Sequence, residues 1–69
     1  MSLSIGQAAG RIGCPASTIR YYEEIGLVPA ATRGDNGYRY YDAAAMSRLA
    51  FAHRARVLGF SLEAVASLL

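Results

Sequence analysis

Near the start of the chain, apolar residues recur at helical spacing at Ile5, Ala8, Ala9 and Ile12, with Ser4 just before them and Gln7 three residues after Ser4. That pattern predicts a short amphipathic first helix whose opening amides are satisfied by a capping box. Arg11 falls on its polar side, and Gly13 is placed to end it. After a tight turn at Gly13 and Cys14, Pro15 reads as the first residue of a second helix over residues 15–24. At about 100° per residue, Ile19 and Tyr22 share one side of that helix, and Ser17, Arg20, Tyr21 and Glu24 share the other. Two helices joined by a turn of this length form a helix-turn-helix. In that arrangement the second helix carries hydroxyl, guanidinium and phenol groups, which are the donors that reach phosphates and base edges.

Gly26 and Pro29 end the second helix, and the pattern that follows is not helical. Residues 31–33 and 38–41 read as two short strands around a glycine-rich tip that contains the turn-forming pair Asn36 and Gly37. Alternation puts Tyr38 and Tyr40 on one side, and Arg39 and Tyr41 on the other. A hairpin beside a helix-turn-helix is a wing, and its plainer reading is a hairpin held together by aromatic packing. Asp42 caps a third helix from Ala43 to Val57, with Met46, Leu49, Phe51 and Ala52 as its expected apolar contacts. His53, Arg54 and Arg56 at its far end suit the negative pole of the helix dipole, and equally suit a phosphate. Gly59 and Phe60 break the run. Ser61 then caps a fourth helix with Leu62, Val65, Ala66 and Leu69 as its apolar stripe, and the periodicity reaches the last residue without a cap. The expected fold class is therefore mainly α: a winged helix-turn-helix with a short β-hairpin wing and two further helices. The helical stripes account for most apolar positions, so few exposed apolar patches are expected.

Composition narrows the partner. The 69 residues form one domain, residues 1–69, with a formal charge of +2, and all seven basic residues are arginine. Arginine forks onto phosphate and guanine where lysine acts as a point charge. A single cysteine cannot make an internal disulfide, no apolar run approaches the roughly 20 residues of a membrane span, and the start lacks a basic signal-peptide head. A cytoplasmic protein without a membrane partner is expected. With one histidine, one cysteine and scattered acids, among which Glu23 and Glu24 read as solvent-facing charges, no triad, carboxylate pair or metal cluster assembles, and no enzyme is expected. Cys14 reads as the N-cap of the second helix, by default as a small turn residue. A thiol in that position has a lowered pKa and can bind a soft metal or sense oxidation.

Three motifs, in order, resemble the DNA-binding domain of MerR-type transcriptional regulators, with the texture of the heavy-metal-responsive branch. They are Thr18 to Glu23 followed by Gly26, Leu27 and Pro29; Arg33 with Asn36, Gly37, Tyr38, Arg39, Tyr41 and Asp42; and Arg54 and Arg56 with Leu58 to Glu63. The resemblance implies sequence-specific binding of double-stranded promoter DNA by an effector-responsive bacterial regulator that distorts its promoter for RNA polymerase. A dimerisation helix that forms the homodimer, and an effector segment that could take a metal ion, are expected beyond residue 69. By position, Thr18, Arg20 and Tyr21 contact the major groove, with Ser17 added from the helical wheel. Arg33, Tyr38 and Arg39 reach the flanking backbone from the wing, and Arg54 or Arg56 reaches a further phosphate. Tyr22, Leu27, Leu49, Leu58, Phe60 and Leu62 are the implied core. The competing reading is an excisionase-like architectural or protein-interaction module.

Overall fold

Ser4 and Gln7 form the reciprocal cap that their spacing predicts. The Ser4 hydroxyl accepts from the Gln7 amide at 3.2 Å, and the Gln7 side-chain carbonyl accepts from the Ser4 amide at 3.0 Å. The structure, a computed structural model, describes residues 3–29, 31–34 and 39–69, and only the backbone at Arg33 and Arg39. Its elements run α1 (Ile5–Ile12), α2 (Ala16–Glu24), β1 (Thr32–Arg33), β2 (Arg39–Tyr40), α3 (Ala43–Val57) and α4 (Leu62–Leu68). Asp42 and Ser61 cap α3 and α4 as expected, accepting from the amides of Ala45 at 2.8 Å and Ala64 at 3.1 Å.

Two glycines stop helices by the same geometry. After α2, Gly26 takes φ +75°, its amide bonds to the Glu23 carbonyl at 3.1 Å, and the Leu27 amide bonds to that of Tyr22 at 2.9 Å. After α3, Gly59 takes φ +101°, with Gly59 bonded to Arg56 and Phe60 to Ala55, both at 3.0 Å. Each pair is a Schellman closure, which needs a left-handed residue that glycine adopts without steric cost.

α1 packs against α2 and α3, and α4 packs against α3. Their common core is Ala8, Ala9, Ile19, Tyr22, Leu27, Val28, Tyr41, Leu49, Ala52, Ala55 and Val65. Small alanines on α1 and α3 let those helices approach closely, and Ile19, Leu49 and Tyr41 fill the centre. The strands pair antiparallel, Thr32 with Tyr40 and Arg33 with Arg39. Tyr41 continues the second strand as a two-bond bridge to Leu3, at 2.9 and 2.7 Å, which ties the strand pair to the start of α1. The expected tip around Asn36 and Gly37, and the placement of Tyr38, lie outside the described residues.

The expected core needs correction at its edge. Leu58 is 72% exposed and Phe60 47% exposed; Phe51, Ala66 and Leu69 are exposed too, while Leu62 is half-buried. Periodicity places Phe51, Leu62, Ala66 and Leu69 on apolar stripes, and the resemblance implies Leu58 and Phe60 as core, but an apolar side chain is buried only where another element covers it. α3 is longer than α1 and α2, and α4 packs mainly against α3. Phe51, Leu58, Phe60 and Leu68 accordingly line one exposed apolar depression, contrary to the expectation of few such patches.

Candidate nucleic-acid interface

α2 divides its side chains as the wheel predicts. Ile19 and Tyr22 are buried, Ser17, Arg20, Tyr21 and Glu24 are exposed, and Thr18 is half-buried with its amide bonded to the Pro15 carbonyl at 3.0 Å. Tyr21 stands 47% exposed beside Tyr22, with ring centroids 6.2 Å apart and planes tilted by 48°. Burial of the Tyr22 phenol pushes its pKa up, so its hydroxyl keeps its proton. The result is a face of one hydroxyl, one guanidinium and one phenol anchored from beneath by two core residues. That face can donate hydrogen bonds and stack.

The beginning of α2 differs from expectation. Pro15, not Cys14, is the N-cap, with φ −64° and ψ 151°, and no side chain caps this helix. Proline fixes φ at a value common to helix and extended chain, so ψ alone decides on which side of the boundary it falls. Cys14 sits one residue further back, half-buried, and burial raises its pKa above the usual thiol value, the reverse of the lowered value expected of a capping thiol. Among the described residues no group of three or more His, Cys, Asp or Glu side chains could hold a metal ion.

Glu23 is not the solvent-facing charge expected. Its carboxylate accepts the hydroxyl of the buried Tyr41 in a short hydrogen bond, and the Ala31 amide at 3.4 Å. One side chain on α2 thus holds both the segment leading into β1 and the residue leaving β2. Arg33 and Arg39 occupy paired positions on these strands, though their side chains, like Tyr38, lie outside the described residues.

On α3, Arg54 and Arg56 are both exposed and their surroundings differ. Arg56 donates to the Phe60 carbonyl at 2.7 Å, closing the α3–α4 turn. Arg54 lies at a surface depression shared with Arg11 of α1 and with His53, whose Nδ1 is 3.5 Å from the Tyr22 hydroxyl. Sequence reasoning left Arg11 as a polar position, because nothing local indicates that the end of α1 faces the end of α3.

The comparisons with known proteins agree with one another. Residues 3–69 match the family described as MerR HTH family regulatory protein. The HTH-type transcriptional regulator HmrR of Rhizobium leguminosarum bv. viciae is 51% identical over 67 residues, covering 97% of this chain and 51% of its own. The mercuric resistance operon regulatory protein of Bacillus cereus is 42% identical over 69 residues, 100% of this chain and 52% of its own. The chain therefore spans about half the length of these relatives. HiNmlR, a MerR family regulator lacking the sensor domain and solved bound to promoter DNA, aligns with a TM-score of 0.89 at 28% identity, over 99% of this chain and 52% of its own. The transcription regulator PbrR691 of Ralstonia metallidurans CH34, solved in complex with lead(II), aligns with a TM-score of 0.83 at 32% identity, over 96% of this chain and 52% of its own. With a family match across nearly its whole length, and a fold shared with these regulators, the chain belongs to the MerR HTH family of regulatory proteins.

Proposed function

We propose that this domain binds double-stranded promoter DNA sequence-specifically, as the reader of an effector-responsive bacterial regulator. The observation that carries the reading is the outward face of α2, where Ser17, Arg20 and Tyr21 stand exposed over buried Ile19 and Tyr22. A helix presented this way enters the major groove with its polar face toward the base edges, Thr18 at its margin. The strand pair acts as a wing, with Arg33, Tyr38 and Arg39 on the flanking backbone. Arg54 adds a phosphate contact; Arg56 contributes one only with the donors not committed to Phe60. The exposed face of Leu58, Phe60 and Leu68 suits a continuation of the chain beyond residue 69, where a dimerisation helix and an effector segment complete the whole protein. There the homodimer bends and untwists promoter DNA for RNA polymerase in the cytoplasm, a control through deformability. The names of the relatives make a heavy-metal ion the effector class to test first, with its ligands outside this domain. The relatives carry names of regulators, and the domain's part is binding, without catalysis.

A salt titration of the full-length protein on an operator selected from random duplexes, and on a scrambled copy, tests this. Affinity for both should fall steeply as salt rises, with the operator held roughly 10³-fold or more tighter. Equal affinity for the two duplexes would sink the specific reading.

A further inference from the structure

We propose that Arg11, His53 and Arg54 together clamp a backbone phosphodiester of duplex DNA, a contact separate from the base-reading face of α2. The inference rests on the DNA-binding reading above and adds to it a site that spans two helices. Arg11 comes from the last turn of α1 and the other two from the final turns of α3, and all three line one surface depression of about 310 Å³. The rest of its lining is apolar, including Ile12, Val57 and Leu58, and no acidic side chain takes part. Two guanidiniums facing one concavity without a carboxylate between them repel each other. An anion relieves that repulsion, and the guanidinium fork matches a phosphate.

His53 lines the same depression and is tied to the second helix. The Tyr22 hydroxyl lies 3.5 Å from its Nδ1. Either partner of that contact can donate, and it holds the imidazole beside the depression that His53 lines. Position argues for DNA rather than a free anion. In a helix-turn-helix the first helix crosses the sugar–phosphate backbone while the second enters the groove. Arg11 stands on that first helix, and the Tyr22–His53 contact joins the depression to α2.

The test uses the full-length protein at pH 8, comparing wild type with Arg11→Gln, Arg54→Gln and His53→Leu on two unrelated duplexes over a range of salt, with melting temperature as the folding control. Each arginine variant should weaken both duplexes alike and lower the slope of log affinity against log salt by about 0.9. His53→Leu, which removes the imidazole from the depression, should weaken both duplexes alike. Arg11→Gln binding with the wild-type slope would overturn the clamp, whether or not inorganic phosphate perturbs the His53 resonances in the absence of DNA. Wild type lacking salt-dependent binding would overturn the DNA reading and the clamp with it; an unchanged Arg11→Gln slope beside a steep wild-type slope overturns the clamp alone.

Discussion

Cys14 and Arg56 show how much a side chain's chemistry depends on one or two neighbours. With Pro15 as N-cap, the Cys14 thiol is not at the tip of the helix dipole, and burial raises its pKa. The fold therefore favours the protonated thiol. The stability this represents is fully present below the unfolded pKa and is lost as pH rises through the folded one. Because the thiolate is the nucleophile, iodoacetamide at pH 8 should alkylate Cys14 several-fold more slowly in the native protein than in urea. Faster reaction in the native state would mean an activated, sensor-type thiol and would contradict this assignment. Arg56 makes the parallel point: a residue expected at a phosphate holds the Phe60 carbonyl.

Among the elements, the link between α2 and the strand pair rests on the Glu23 carboxylate, which receives both Tyr41 and Ala31. Tyr41→Phe removes only the hydroxyl, and a hydrogen bond to a charged group contributes about 1.5–3 kcal/mol. Chemical denaturation should show a loss of that order, and Glu23→Gln, which keeps a carbonyl acceptor, should lose less than Glu23→Ala. Wild-type stability in Tyr41→Phe would remove Glu23 from its structural role. This link also marks the limit of what the sequence discloses. The caps at Ser4, Asp42 and Ser61 and the closures at Gly26 and Gly59 are legible because each depends on residues within a few positions of one another. Glu23 and Tyr41 are 18 residues apart, and only the packed fold brings them together. The exposed face of α2 is legible from period alone, whereas the depression joining Arg11 to Arg54 is not, since α1 and α3 carry no mark of their mutual angle.

On the scale of the molecule, the described residues form four helices and a two-strand pair within 36 × 20 × 19 Å, and a domain of this size buries only roughly 60% of its unfolded surface. The family resemblance implied Leu58 and Phe60 in a core that this much chain does not close over, and Val57 is 73% exposed for the same reason. The apolar face lies on α3 and α4, while the polar reading face lies on α2, so the two can serve different partners. An architectural or protein-interaction module would depend on the apolar face; a DNA reader depends on α2, and above all on Arg20. The most direct measurement is the affinity of full-length wild type and Arg20→Ala for a selected operator and its complete set of single-base-pair variants. If α2 reads bases, wild type discriminates by about 1–3 kcal/mol at the base pair Arg20 contacts, and Arg20→Ala loses discrimination there while keeping it elsewhere. A uniform loss across every variant would place Arg20 on the backbone and contradict the account of α2 as the base-reading helix.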